Sequence, residues 1–457
     1  MGYAIILLYS IMIIYALSFR RTKAFKFLIC ICFFQNICLV CISRFIDEAV
    51  YTIITLLKEG YVILLFSKML FKRRNTSKSN RNRHLTKDII ICLIFIFILI
   101  CMMILSGKGD LRGQLSSLRQ LYLPFFFYAL GRISCLTNNE LKDISKFYIK
   151  VCLIASGFGF LEYALGTSFW IPIGIGRYLE LKGVGRYLLS NGMPTSFYSY
   201  DLGLGFRVRR MASVLVDPVI MGQLIAFALI LSLFDDSLFK KKTNKRIAIV
   251  LLTVALLFCM AKGGIVIAVV SFCLLLKDVA KKKILSRILL ACMFITLGLY
   301  FGFAIKSELS ASNHYGGLIS GIASLKNNPL GMGIGATGNL SLAEGLNRTL
   351  GKVGTESYIG SMIAQTGIMG ICFNIYIFTI ALSTKNFRTD ISNDTIKVTR
   401  ILLLSLLLTS FFNYTAISFT SCFIYFIYSG VTKRSGIQMR RFRGNNHAGN
   451  TNILSSI

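Results

Sequence analysis

Acidic residues and histidine are scarce in this chain. Its 457 residues include 19 Asp and Glu against 51 Lys and Arg, and only 3 His. The histidines, His84, His314 and His447, lie far apart in the sequence. Protein zinc sites draw on clustered His and Cys ligands, and the predicted external loops offer neither such a cluster nor a metal-binding pair of acids. The sequence therefore predicts neither a metal nor a cofactor.

Nucleic-acid-binding modules are also missing, although the formal net charge is +32. The basic residues fall in short stretches between apolar segments, where Lys and Arg act as topology signals in membrane proteins. No RNA- or DNA-binding motif accompanies them. The sequence predicts no nucleic-acid partner.

Proline is scarce, and internal repeats are not visible. The chain has 5 Pro, whereas transporters often show repeated halves with Gly- or Pro-broken spans in matching positions. The 13 Cys lie in or beside apolar segments, which is typical of small buried hydrophobic residues. These absences disfavour a transporter and a disulfide framework.

Apolar residues, in contrast, make up 55% of the chain, and the mean hydropathy is +0.67. Apolar runs of about 17–25 residues recur throughout, which is the length that a transmembrane helix needs. We predict an all-α polytopic membrane protein, a single domain over residues 1–457, with about 12–14 transmembrane helices. The first apolar segment lacks signal-peptide features and is expected to be retained.

The distribution of Lys and Arg predicts the orientation of these spans. With basic loops on the cytoplasmic side, the N-terminus lies outside and the C-terminus inside. Two long loops, 166–213 and 306–354, then face outward. Residues 107–120 are expected to form a shorter external loop, which places Arg119 near the outer mouth of a span that begins at 121 and is entered through Pro124.

The third span contains two adjacent charged residues, Lys58 and Glu59. Charges within the membrane are costly. Because neighbours in a helix do not share a face, we expect the two side chains not to pair with each other. A structural role, facing the bundle interior, is the favoured interpretation.

The first long loop carries six basic residues and two acids, although Lys and Arg are usually scarce outside. This cluster predicts an anionic substrate, and the Arg fork suits phosphate. The basic residues are Arg177, Lys182, Arg186, Arg207, Arg209 and Arg210.

The most informative stretch runs over residues 327–370, which begin NNPLGMGIGATGN and end GTESYIGSMIAQTGIMG. The glycines predict turns with positive φ and close backbone approach. A hydrophobic helix is expected to begin at Thr355 and to continue as one span to about Ser383. Glu356 would lie in its first turn, where the helix N-terminus stabilises a carboxylate.

This stretch resembles the O-antigen polymerase/ligase superfamily, in which a P-x-G-x-G-x-G loop leads to an [EH]-[SN]-x-Y helix start. Ligases usually carry His-Asn there, whereas this chain has Glu356-Ser357-Tyr358, so the resemblance favours the repeat-unit polymerases (Wzy-type). It also covers an R-x-x-G/S-x-x-x-x-P pattern at Arg210 and a turn, AKGG, in which Lys262 replaces the usual Arg.

The resemblance implies polymerisation of undecaprenyl-pyrophosphate-linked oligosaccharides, for O-antigen, capsule or exopolysaccharide, at the outer face of a bacterial plasma (inner) membrane. It implies a membrane-lipid environment and, as further partners, a chain-length regulator and a flippase. The catalytic candidates are Glu356, Arg210 and Lys262. The substrate-binding candidates are Arg119, Arg207, Arg209, Asp217, Ser357 and Tyr358.

Several alternatives stay open at this point. Asp217 could start a helix before Pro218, Arg119 could be an interfacial side chain that reaches toward water, and Glu356 could simply stabilise its helix. For the whole protein, the alternatives are ligase-type transfer of a glycan to an acceptor, or a flippase or transporter of lipid-linked oligosaccharides. Charge in external loops rather than inside the spans disfavours the flippase.

Overall fold

The computed structural model describes most of the chain. The described residues are 2–75, 87–107, 111–183, 189–190, 193–199, 208–279, 311–337, 357–383 and 387–433. The candidates Arg207 and Glu356 lie outside them.

The first half of the chain is a series of helices. They are α1 (Gly2–Ser18), α2 (Arg21–Ile42), α3 (Glu48–Asn75), α4 (Lys87–Ser106), α5 (Leu111–Ser134), α6 (Asn138–Leu165), and the short α7 (Trp170–Ile173) and α8 (Ile175–Leu181).

Two small antiparallel hairpins follow α8. Strand β1 (Leu189–Ser190) pairs with β2 (Met193–Pro194), and β3 (Tyr198–Ser199) pairs with β4 (Val208–Arg209). The remaining elements are helical again. They are α9 (Pro218–Phe234), α10 (Lys242–Cys259), α11 (Lys262–Val279), α12 (Ala311–Ala323), α13 (Tyr358–Thr366), α14 (Ile368–Leu382), α15 (Asn393–Thr409) and α16 (Phe419–Thr432).

Four of the described helices are long and apolar enough to cross a membrane, namely those at Arg21–Phe45, Glu48–Lys72, Lys87–Ser106 and Asn138–Leu165. In the third, only 17% of the most apolar window is buried inside the protein. Apolar surface of this extent needs a covering, which lipid provides. The all-α architecture and the membrane character predicted from composition are consistent with this structure.

Helix α16 lies at the centre of the bundle, and all of its residues are buried. Helix α5 packs along it through two glycines. A Cβ on Gly131 would lie 2.2 Å from the Ile427 carbonyl oxygen, and one on Gly430 would lie 2.3 Å from that of Tyr128. Small residues allow membrane helices to approach closely, so this contact sets the core of the fold.

The helix ends gather at two faces of the bundle. The first, which we call the loop face, consists of residues 43–47, 260–261, 410–418 and the described part of 166–217, namely 166–183, 189–190, 193–199 and 208–217. There Arg44 Nη2 donates to the Ile171 carbonyl at 3.0 Å, and the Met211 N–H donates to that of Phe258 at 2.9 Å.

The other helix ends lie at the opposite face of the bundle. Lys26 Nζ lies 2.6 Å from an Asp143 carboxylate oxygen, and Arg388 Nη1 donates to the Leu136 carbonyl at 2.7 Å. Successive helices therefore run between the two faces.

One predicted boundary is wrong. The loop expected over residues 107–120 is helical from Leu111 onward, and Pro124 lies inside α5. Hydropathy located only the apolar part of this helix, because its first turns are polar. Within the predicted external loop 306–354, the described residues include α12, and this helix contains His314.

The predicted span from Glu356 to Ser383 is also not one helix. Ser357 caps α13, and the chain breaks at Gly367, where φ is +61°, before α14 begins. A residue with φ +61° and ψ −137° cannot continue an α-helix. The Gly-rich sequence QTGIMG thus separates two helices.

Candidate functional site

Most of the predicted site residues lie on helices or loops at the loop face. The described ones are Arg119, Arg209, Arg210, Asp217, Lys262, Ser357 and Tyr358.

A buried carboxylate holds the segment 166–217 at this face. Glu162, fully buried near the end of α6, accepts a hydrogen bond from Trp170 Nε1 at 2.8 Å. It also accepts the backbone N–H groups of Ala212 at 3.2 Å and Ser213 at 3.3 Å, and forms an ion pair with Arg209. One side chain therefore fastens both ends of the segment to the bundle.

Arg209 is engaged by this anchor. Its guanidinium donates to the carbonyls of Glu162 at 3.1 Å and Tyr163 at 3.0 Å, and it lies 5.4 Å from the centroid of the Tyr163 ring. A buried arginine needs these partners because an unpaired charge is costly there. Arg209 thus has a structural role in this conformation.

Sequence reasoning missed Glu162. The signal was a single acid in the apolar run GFGFLEYAL, because an ionisable residue within a span usually has a partner or a function. The partner lies too far along the chain for a local pattern to reveal it.

Arg210 has a different environment from Arg209. Its side chain is half-buried, and its backbone N–H donates to the Phe197 carbonyl at 2.7 Å. The N–H of the next residue, Met211, donates to the Phe258 carbonyl at 2.9 Å. Arg210 therefore lies beside the end of α10.

Asp217 caps α9. Its carboxylate accepts the backbone N–H groups of Val219 at 2.9 Å and Ile220 at 3.1 Å, and Pro218 follows at the first helical position. This arrangement satisfies otherwise unpaired donors. The structure therefore shows Asp217 at the start of a helix, which was one of the two interpretations of this residue.

Lys262 is the first residue of α11, beside two side-chain amides. A Cβ on Gly263 would lie 2.7 Å from Asn413 Nδ2 and 3.3 Å from Gln223 Nε2. Gln223 is fully buried, and neither end of its amide has a hydrogen-bond partner among the described residues. Buried amides are normally hydrogen-bonded. The Gln223 amide, close to the start of α11 where Lys262 lies, is therefore unusual.

Ser357 and Tyr358 are both buried at the start of α13. The Ser357 hydroxyl accepts the Gly360 N–H at 3.0 Å, and the Tyr358 N–H donates to the Ser410 carbonyl at 3.1 Å. In the part of the chain that is described, the Tyr358 hydroxyl has no hydrogen-bond partner. The helix start is thereby fixed to the 410–418 turn.

The Gly-rich loop docks on α13. The N–H groups of Met332 and Gly333 donate to the carbonyls of Ala364 at 2.8 Å and Gln365 at 3.2 Å, and Gly335 N–H donates to Gln365 Oε1 at 2.9 Å. The loop and the helix that follow each other in the sequence motif are thus one packed unit.

Two intramembrane charges noted in the sequence also lie toward this face. Glu59 Oε1 lies 2.8 Å from Arg119 Nη1, and Lys58 Nζ lies 4.8 Å from the centroid of the Phe419 ring. Next to Arg119, the Gln120 side chain donates to the Tyr414 carbonyl at 2.8 Å. As expected, the adjacent Lys58 and Glu59 do not pair with each other.

Within the described ranges, no group of three or more His, Cys, Asp or Glu residues is arranged to hold a metal ion. Comparison of the chain with protein-family models, curated proteins and solved structures finds no match.

Proposed function

We propose that this protein is a membrane glycosyltransferase that polymerises oligosaccharide repeat units carried on a polyprenyl diphosphate. A hydroxyl of the incoming unit attacks the anomeric carbon of the growing glycan. The bond from that carbon to the diphosphate oxygen breaks, the diphosphate leaves with the electron pair, and a base takes the hydroxyl proton. The product belongs to the class of O-antigens, capsules or exopolysaccharides.

The observation that carries this proposal is the cationic character of the loop face. Arg119, Arg210 and Lys262 come from three separate parts of the chain and lie on elements at this one face. The Gly-rich loop docks on α13, whose first residue contacts Ser410 at the same face. A leaving diphosphate develops negative charge, which preorganised positive groups stabilise best in a partly dehydrated site.

The proposal assigns a role to each candidate residue. Arg210 and Lys262 neutralise the leaving diphosphate, and Glu356 accepts the proton. Arg119, Arg207, Ser357 and Tyr358 contribute to substrate binding.

Arg209 and Asp217 belong to the same substrate site but already have intramolecular partners. Arg209 is bound to Glu162, and Asp217 caps α9. Within the proposal they shape the site and hold Arg210 between them.

The proposal includes a location and an orientation. The membrane is the bacterial plasma membrane, crossed about 12–14 times, with the loop face and the loops 166–213 and 306–354 outside. The C-terminus is then cytoplasmic. The alternation of helix ends between the two faces supports this arrangement, as does the excess of Lys and Arg in the loops of the opposite face. A flippase and a chain-length regulator are the proposed protein partners.

Deletion of the gene and gel analysis of the surface glycan tests the activity. Loss of a polymerase leaves single repeat units on the acceptor, whereas loss of a flippase or a ligase leaves none. With the purified protein and a polyprenyl-diphosphate-linked repeat unit, we expect longer lipid-linked glycans and release of polyprenyl diphosphate. Absence of any surface glycan in the deletion strain, with no elongation by the purified protein, would overturn the proposal.

A further inference from the structure

Lys58 carries a positive charge that the protein leaves without a counter-ion. Among the described residues, its ammonium group has no hydrogen bond and no ion pair. It lies 4.8 Å from the centroid of the Phe419 ring. The side chain is half-buried. At a rise of about 1.5 Å per residue, Lys58 lies about 15 Å along α3 from Glu48. A cation at this depth is costly unless something binds it.

Arg119 is also incompletely used. A guanidinium has five N–H donors, and the single hydrogen bond of Arg119 in the described structure is to Glu59 Oε1, at 2.8 Å. Its side chain is 36% exposed, whereas that of Glu59 is 12% exposed. The guanidinium therefore keeps several donors available on its more open side.

The electrostatic balance of this cluster is positive. Arg119 lies 2.8 Å from Glu59, which follows Lys58 in α3, so that Lys58 and Arg119 share one carboxylate. Bringing like charges together in a partly buried place is unfavourable, and a bound anion with several oxygens removes that cost.

Polar and aromatic groups lie beside the two cations. The side chain of Gln120, next to Arg119, donates to the Tyr414 carbonyl at 2.8 Å, and the Phe419 ring contacts Lys58. Tyr414 is the first residue of a short 3₁₀ helix (Tyr414–Ile417) within residues 410–418, which begin where α15 ends. Irregular backbone at membrane depth occurs where it is buried in protein or lines a cavity. The cluster is thus lined by aromatic and backbone groups rather than by aliphatic side chains alone.

We propose that Lys58 and Arg119 bind the diphosphate of a polyprenyl diphosphate, and that Glu59 holds the Arg119 guanidinium until the diphosphate displaces it. The proposal rests on the function proposed above, and it adds Lys58 and Glu59 to the site. Arginine presents a planar fork that matches phosphate oxygens, while lysine adds a compact charge. Because Glu59 competes with the ligand for Arg119, its carboxylate lowers the affinity of the empty site.

This competition predicts effects of opposite sign for neighbouring residues. Lys58→Ala removes a charged donor and should weaken diphosphate binding about tenfold or more, whereas Lys58→Arg should keep most of it. Glu59→Gln removes the competing charge and should strengthen binding severalfold. A merely structural role of the Glu59–Arg119 pair predicts that Glu59→Gln weakens binding, because Arg119 would lose its support.

The test measures binding of farnesyl diphosphate, inorganic pyrophosphate and farnesol to the purified full chain by titration calorimetry. Farnesyl diphosphate should bind, and inorganic pyrophosphate should bind more weakly at the same site. Any binding of farnesol should not depend on Lys58. Lys68→Ala is the matched control, because Lys68 lies on the same helix but donates to the Leu17 and Phe19 carbonyls at the opposite face. Thermal unfolding without ligand confirms that each variant is folded.

Two outcomes would overturn the proposal. One is equal affinity of wild type and folded Lys58→Ala for farnesyl diphosphate, and the other is weaker binding by folded Glu59→Gln. Because the measurement does not require polymerisation, it separates the two proposals. Diphosphate binding that depends on Lys58, in a protein that fails to elongate glycans, would keep the site and reject the polymerase. If the wild type elongates glycans and Lys58→Ala binds farnesyl diphosphate normally, the polymerase is kept and the Lys58 site is rejected.

Discussion

The indole Nε1 of Trp170 lies 2.8 Å from Oε1 of Glu162, and both side chains are fully buried. Trp170 follows shortly after α6, whereas the other partners of this carboxylate, Arg209, Ala212 and Ser213, come at the far end of the same segment. The geometry of the loop face therefore depends on one acid in a membrane helix.

Glu162→Ala should destabilise the protein by about 3–5 kcal/mol, because it leaves the Arg209 charge buried without its counter-ion. Glu162→Gln should lose less, since the amide oxygen can still accept from Trp170. Denaturant unfolding of the purified protein in detergent measures both changes in free energy.

The control is Glu180→Ala. Glu180 pairs with Arg177 at 3.0 Å, but the two side chains are 69% and 47% exposed. Exposed pairs contribute less than about 1 kcal/mol, so this variant should unfold almost like the wild type. Equal stability of Glu162→Ala and Glu180→Ala would contradict the anchoring role of Glu162.

A second prediction concerns the break between α13 and α14. Gly367 has φ +61°, and a Cβ there would lie 2.2 Å from the Pro329 carbonyl oxygen. Gly183 has φ +75°, but a Cβ there would meet nothing within 4 Å. Alanine at either position should cost about 1–3 kcal/mol for its positive φ. Only Gly367→Ala should cost more, because it also pushes the Gly-rich loop away.

Thermal unfolding measures the stability that Gly367→Ala and Gly183→Ala each lose. The difference between the two losses gives the contribution of the contact with the Gly-rich loop. If Gly367→Ala is no less stable than Gly183→Ala, the docking of the loop on α13 contributes little to the fold. A larger loss in Gly367→Ala is the expected result.

The glycines of this loop show what a local sequence pattern can predict. Gly331, Gly333 and Gly335 were expected to take positive φ, and their values of +91°, +102° and +90° confirm it. The information lies in adjacent residues, since only glycine adopts this backbone readily. The Asp217 cap is local in the same sense, because an acid directly before Pro218 is typical of a helix start.

The unpredicted features depend on contacts between distant residues or on packing. The Glu162–Arg209 pair joins two residues separated by an entire loop segment, so neither position reveals the other. The Glu59–Arg119 pair joins α3 and α5 in the same way. Helix α5 begins ten residues earlier than its apolar run, because helix formation there follows packing against neighbouring helices and not hydropathy.

The orientation predicts which residues an impermeant reagent can reach. Ser168 lies exposed at the loop face, and Lys241 lies exposed at the opposite face. In a background without native cysteines, Ser168→Cys should react with an impermeant thiol reagent in intact cells. Lys241→Cys should react only after the membrane is permeabilised. The reverse pattern would invert the proposed topology.

Arg210→Ala should remove most polymer, because the diphosphate loses both a fork and a charge, and Arg210→Lys should keep part of the activity. Gel analysis of the surface glycan at matched protein level gives the readout. Arg177→Ala is the control, since this exposed residue of the same segment pairs with Glu180. Full-length polymer from Arg210→Ala, as from Arg177→Ala, would remove Arg210 from the catalytic proposal.

The last prediction concerns Glu356. If its carboxylate accepts the hydroxyl proton, Glu356→Gln should lower the rate by about two to four orders of magnitude while the protein still folds. The alternative is stabilisation of a helix, which contributes about 0.3–1 kcal/mol and falls off beyond the first turn. Helix α13 begins at Tyr358 with Ser357 as its cap, and Glu356 lies outside the described residues.

Thr137→Ala calibrates this comparison. Thr137 caps α6 by accepting the Glu140 N–H at 3.3 Å, and loss of such a cap costs about 1 kcal/mol. Because this change lies at the opposite face, it should lower stability and leave the length distribution of the polymer unchanged. Glu356→Gln should fold, be at least as stable as Thr137→Ala and make no polymer. Loss of a proton acceptor explains this result, whereas loss of helix stability does not. Polymer of normal length from Glu356→Gln would reject the base and leave the cations of the loop face as the catalytic groups.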